Sequence, residues 1–258
     1  MINFNPTKTS YADMFHIEIP SVLLKTIVGC LKEFVECVEI TIDSTGIHIS
    51  TLDQAHICMI KFYISKADCT SFEVNSNNKF RFSIAILEKA IKNAKKNITL
   101  SGEKMELKLS YSANSRTLKY SIPCKPKLET KFTIPETLFM GEIQFESKVL
   151  ADIYSELKNV SEECCLHIEP NGEFSFLASD DIMGKADISL EEKLQFIKAI
   201  EDKFEVAFQI DYFGKICKIA KKMHSVQIKP PEKKGDPISF RFNTEKGSQM
   251  DFLLASKF

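Results

Sequence analysis

The 258-residue chain carries the same pattern twice. "LEKAIKNAKKN" (Leu87–Asn97) holds Lys89, Lys92, Lys95 and Lys96; "YFGKICKIAKKM" (Tyr212–Met223) holds Lys215, Lys218, Lys221 and Lys222. Each lysine of the second stretch lies 126 residues after its counterpart (215 − 89 = 126). "VEITIDSTG", ending at Gly46, and "CLHIEPNG", ending at Gly172, share that offset. Two segments at one spacing argue for a tandem duplication, because chance likeness between amphipathic helices would not carry a turn along with it. The chain must therefore build one unit twice and join the copies.

Helical periodicity occurs in four places. "PSVLLKTIVGCLKEFVECV" from Pro20 sets Leu24, Ile27, Val28, Leu31 and Val35 at 3-and-4 spacing. "ESKVLADIYSELKNV" from Glu146 does so with Leu150, Ile153 and Leu157. The two lysine-bearing stretches, starting near Ile84 and Ile210, are the others. Between them lie runs rich in Val, Ile, Phe and Thr, such as "ICMIKFYIS", "KFRFSI", "FEVAFQI" and "ISFRFN". "DSTG" and "EPNG" read as hairpin turns. The order helix, strands, helix, strands, then the same again, gives an α+β fold of two like domains. The boundaries are an N-terminal extension over 1–13, a first domain over 14–122, a connecting loop over 123–140 and a second domain over 141–258. The loop is rich in proline and has no helical period, but it carries Phe132, Ile134, Leu138 and Phe139, more apolar surface than a passive linker needs.

On a helical wheel the second helix sets Lys89, Lys92, Lys95 and Lys96 on one side and Ile86, Leu87, Ala90, Ile91 and Ala94 on the other. A solvated face explains one such helix. Charge distribution favours more than that. The whole chain has net charge −1, yet residues 84–97 carry four Lys against Glu88, and residues 210–223 carry four Lys against Asp211. Positive charge concentrated on two matching elements points to a polyanion. None of the arginines at 81, 116 and 241 lies in these helices, and there is no tryptophan. Base readout and single-strand stacking are therefore disfavoured, and salt-sensitive, sequence-blind contact with a duplex backbone is the expectation.

Eight cysteines and five histidines show no CxxC pair and no metal-ligand spacing, so they read as reduced core thiols and scattered rings, with no metal and no cofactor. No apolar run reaches membrane-spanning length, and the polar start "MINFNPTKTSYAD" has no signal-peptide core, so the expectation is an intracellular protein with no membrane partner. GxGxxG, GxxxxGK[ST], HExxH and GxSxG are all absent, and no carboxylate pair stands out, so no catalytic residues are assigned.

Four further segments, "TLDQAHICMI" (Thr51–Ile60), "FTIPETLF" (Phe132–Phe139), "DPISFRF" (Asp236–Phe242) and "FLLASKF" (Phe252–Phe258), resemble signatures of proliferating cell nuclear antigen, the DNA sliding clamp. They occur in the right order, and the similarity runs from about Met14 onward. The resemblance implies a homotrimeric ring of six domains, with helices lining the hole and antiparallel sheets outside. It implies DNA-facing roles for Lys25, Lys32, Lys89, Lys92, Lys96, Lys148, Lys215, Lys218 and Lys222. The third helix departs from the family, since its outward face has Asp152, Ser155 and Asn159 beside Lys148.

The resemblance further implies a groove for short peptides of DNA polymerase, clamp loader, flap nuclease and ligase. Its residues would be Leu52, His56, Ile57 and Met59, then Phe132, Ile134, Pro135 and Phe139 in the loop, with Pro237, Leu253 and Ala255. Strand alternation turns Leu254 inward. Ring closure would pair an edge near 114–124 with one near 181–190, bringing in Arg116, Leu118, Tyr120, Lys185 and Asp187. Such a protein works on duplex DNA, in the nucleus if cellular and in the nucleus or a cytoplasmic replication site if viral. The rival readings are a subunit of a heterotrimer, a monomeric viral processivity factor, and a peptide-binding scaffold that does not encircle DNA.

Overall fold

The computed structural model describes residues 15–103, 106–126, 137–196 and 200–257. The first half runs β1 (Phe15–Pro20), α1 (Ser21–Leu31), β2 (Cys37–Ile42), β3 (Gly46–Leu52), β4 (Cys58–Ser65), β5 (Ser71–Val74), β6 (Asn78–Ser83), α2 (Ile84–Ile91), β7 (Asn97–Glu103), β8 (Glu106–Ala113) and β9 (Arg116–Pro123). The second half runs β10 (Gly141–Glu146), α3 (Ser147–Leu157), β11 (Glu163–Ile168), β12 (Phe174–Asp180), β13 (Gly184–Ser189), β14 (Gln195–Phe196), β15 (Phe204–Gln209), α4 (Ile210–Ala220), β16 (Ser225–Lys229), β17 (Ile238–Asn243) and β18 (Gln249–Leu254). α1 and α3 start 126 residues apart, as do α2 and α4, so the structure repeats at the spacing seen in the lysines.

The strands form three antiparallel sheets, ordered β5-β1-β7-β8-β9, β14-β10-β16-β17-β18-β4-β3-β2-β6 and β13-β12-β11-β15. The nine-stranded sheet crosses from one half to the other where β18 pairs with β4, so the halves meet edge to edge through backbone hydrogen bonds. The helices lie in a row, with α1 touching both α2 and α4, and α3 touching α4. Their apolar faces pack on the inward side of the sheets. In the second half Phe213 is fully buried among Phe176, Phe208 and Phe240, with the Tyr154 ring edge-on. A Cβ at Gly214 would come within 2.5 Å of the Tyr154 ring, so glycine sets how closely α4 approaches α3.

The lysine wheel needs correcting at its ends. α2 stops at Ile91, Lys92 caps it, and Ala94 N–H closes a final turn on Ile91 O. Lys95 and Lys96 lie in the connection to β7. Likewise Lys221 caps α4 and Lys222 follows it. Lysine suits a helix and a helix end equally well, so its spacing could not locate the stop. Val35, in register with α1, also lies beyond that helix but remains buried.

Candidate functional site

Three surfaces matter, and the duplication positions all of them. The first is a cleft between α1, α2 and α4. Lys25, Lys32, Lys89, Lys92, Lys218 and Lys222 line it together with Glu88. Amphipathic packing turns these side chains away from the sheets. Several are already engaged. Lys25 Nζ donates to the carbonyls of Lys92 (2.9 Å) and Ala94 (2.5 Å), satisfying the open C-terminal end of α2. Lys32 pairs with Glu88 at 2.6 Å and Lys218 with Glu33 at 2.7 Å, linking α1 to α2 and to α4. Hydrogen bonding to Glu88 raises the Lys32 pKa. Among the described residues Lys89, Lys92 and Lys222 make no ion pair and form the uncompensated part of the cleft.

Lys215 lies over the rings of Tyr212 (4.3 Å) and Phe34 (5.6 Å), a cation–π arrangement that links α4 to the residues just after α1. Lys148 is exposed on α3 beside exposed Asp152, Ser155 and Asn159, so that helix adds little positive charge. Lys96 is exposed in the turn after α2.

The second surface is one end of the nine-stranded sheet. Leu52 pairs with Met59 and Met59 with Leu253, a row across β3, β4 and β18 on the face opposite the buried Cys58 and Leu254. Beyond it, Ala255 N–H donates to Ile57 O (2.8 Å), and Phe139 bridges to Pro231. Continuing the β16–β17 and β17–β18 registers sets Pro231, Pro237, Ala255 and Ile57 in a second row. Sequence reading thus gathered residues that the sheet does bring together. Phe132, Ile134 and Pro135 lie outside the described residues.

His56 stands exposed at this end with φ 60°, a left-handed backbone that a non-glycine residue adopts only under constraint. Asp53 supplies the constraint. Its carboxylate accepts from the backbone N–H groups of Ala55 (3.0 Å), Ile57 (2.7 Å) and Cys58 (2.7 Å), and from the Tyr212 hydroxyl of α4 (2.6 Å). Burial works against its charge, but the hydrogen bonds outweigh burial and hold the carboxyl below its usual value. Burial first, then Asp53, pushes the Tyr212 phenol up. Sequence reasoning missed both residues.

The third surface comprises two of the sheet-edge strands, β9 and β13. Leu118 and Tyr120 are half-buried and Arg116 is exposed on β9; Lys185 and Asp187 pair with each other at 3.5 Å on β13.

Residues 14–124 match the family described as proliferating cell nuclear antigen, N-terminal domain. The chain is 23% identical over 248 residues to a DNA polymerase sliding clamp of Methanococcoides burtonii, covering 95% of this chain and 98% of that one. It is 20% identical over 248 residues to proliferating cell nuclear antigen of Chaetomium thermophilum, covering 91% and 94%. Its fold matches a chain of the PCNA2-PCNA3 complex from Sulfolobus tokodaii with TM-score 0.80 at 18% identity, covering 94% of this chain and 99% of that one.

Proposed function

We infer that the chain, which is a divergent member of the proliferating cell nuclear antigen family, acts as a DNA sliding clamp. A closed ring encircles duplex DNA, keeps a polymerase processive and docks replication and repair proteins. It acts as a scaffold, at the site of DNA replication, and its hold on DNA is topological.

The observation that carries the reading is the edge-to-edge junction between the halves. Matching the halves by strand order and ladder register maps β18 onto β9 and β4 onto β13. The strands joined inside the chain thus have their counterparts at two open edges, and each edge suits the other edge of a second copy. The β18–β4 register carries over residue by residue. Met250 opposite Phe62 becomes Leu118 opposite Ile188; Phe252 opposite Ile60 becomes Tyr120 opposite Ala186; Asp251 opposite Lys61 becomes Lys119 opposite Asp187. The half-buried residues of both strands then share one face, and the exposed Lys119 and Asp187 meet on the other with opposite charge.

The helix side of the seam follows the same mapping. Asp180, which accepts from the N–H groups of Ile182 and Met183, corresponds to Asp53, and Ile86 corresponds to Tyr212. The polar latch inside the chain is thereby replaced by apolar groups, Ile86 against Ile182 and Met183. These three are 44%, 92% and 65% exposed in the single chain, an exposure that association would remove. Closure removes both aggregation-prone edges. This self-complementarity favours a ring of identical copies, three by analogy with the family, over a heterotrimer or a monomer.

Lysines on the helix row would then contact phosphates from the bore. They are point charges on flexible stems, suited to sequence-independent contact that does not stop sliding. The Leu52–Met59–Leu253 row and its neighbours Ile57, Ala255, Pro237 and Phe139, with His56 at the rim, would take apolar anchors of short partner peptides, such as those of a polymerase, clamp loader, flap nuclease or ligase. The test is retention on DNA after loading. A clamp stays on a circular duplex and runs off the same duplex once linearised; equal loss from both would reject encirclement.

A further inference from the structure

β11 sends Cys165 and His167 to one face of the four-stranded sheet, because residues two apart on a strand share a face. Cys164, Leu166 and Ile168 alternate to the other, buried face, so Cys165 and His167 look away from the helices. β15 sets Glu205 directly opposite His167. The Cys165 sulfur, a His167 ring nitrogen and a Glu205 carboxylate oxygen all lie within 4.8 Å of one another, and His167 Nε2 is 3.5 Å from Glu205 Oε1.

We propose that Cys165, His167 and Glu205 form a zinc-binding site on the outer sheet face, with the remaining coordination position open to water. One soft, one borderline and one hard ligand suit zinc, whereas magnesium and calcium take oxygen ligands throughout. Two ligands from a central strand and one from its neighbour are held by the β ladder, so little ordering is required on binding. The sequence does not show the site by spacing, since Glu205 reaches it only through strand pairing.

The surroundings allow the ion to enter. Lys203 Nζ is 3.6 Å from Glu205 and 3.7 Å from Glu169, so it keeps a carboxylate partner when Glu205 turns to a metal. Zinc bonds to a thiolate, so binding displaces the Cys165 thiol proton and one proton passes to solvent per ion bound.

The full-length chain is titrated with cobalt as a spectroscopic probe and with zinc against a chromophoric chelator. One ion per chain is expected, with a sulfur-to-cobalt charge-transfer band that Cys165→Ser abolishes. His167→Gln and Glu205→Gln should each weaken zinc binding by about tenfold or more. Circular dichroism checks that the variants fold. Glu205 is exposed, so Glu205→Gln carries the test by itself if Cys165→Ser does not fold. Absence of zinc binding, a band that survives Cys165→Ser, or unchanged affinity in Glu205→Gln would overturn the assignment.

Discussion

The Tyr212 hydroxyl donates a 2.6 Å hydrogen bond to Asp53 Oδ2, joining α4 of the second half to the β3–β4 turn of the first, across 159 residues of sequence. The same tyrosine ring lies under Lys215, and the same carboxylate holds the turn that ends in His56. This polar contact thus ties the candidate DNA face to the candidate peptide groove, alongside the β18–β4 ladder.

Tyr212→Phe should cost about 1–3 kcal/mol of stability, because it removes a hydrogen bond to a buried carboxylate. Asp53 has its folded pKa lowered, so its contribution is present above the unfolded value of about 3.9 and is lost as pH falls through the folded value. Removing the tyrosine donor raises that folded value, so the variant should lose the Asp53 contribution at a higher pH than the parent during acidification. Urea unfolding at neutral and acid pH checks both statements; identical curves would show that the hydrogen bond contributes nothing.

Replacing Lys89, Lys92, Lys215 and Lys218 with alanine should flatten the salt dependence of duplex binding. Every phosphate that is no longer neutralised takes about 0.9 off the slope of log affinity against log salt. Assembly should survive, because the Lys218–Glu33 pair that the change removes involves an exposed ammonium of small energetic weight. Fluorescence anisotropy over a salt series is the measurement, and an unchanged slope would remove these lysines from the DNA face.

Lys119→Glu places like charges opposite each other in the inferred seam and should weaken association. Adding Asp187→Lys reverses both signs and should restore it. Sedimentation of the single and double variants tests the register itself, because no other register predicts rescue by this pair.

Ile134→Ala with Phe139→Ala should weaken binding of an apolar-anchored partner peptide by about tenfold or more, since a few anchors dominate such interfaces. Calorimetry reads the affinity, and sedimentation should show assembly unaltered. Wild-type affinity would move the groove elsewhere.

Much of this architecture could be read from the residues because the duplication wrote it twice. The 3-and-4 apolar spacing located the four α-helices of the described residues, and alternation correctly turned Leu254 inward while leaving Leu253 on the opposite face. Helix ends were less visible, since Lys95 and Lys96 continue the basic pattern of α2 after its hydrogen bonds have stopped. Lys25 looked like one more exposed cation, yet it caps carbonyls 67 and 69 residues away. Asp53–Tyr212 and Cys165–His167–Glu205 depend on pairings between distant segments, and no local periodicity records such pairings.

Native mass spectrometry of the purified chain tests closure through β9 and β13 most directly. An assembly of three chains, three times 29.3 kDa, is expected at micromolar concentration. A stable single chain under those conditions would contradict it.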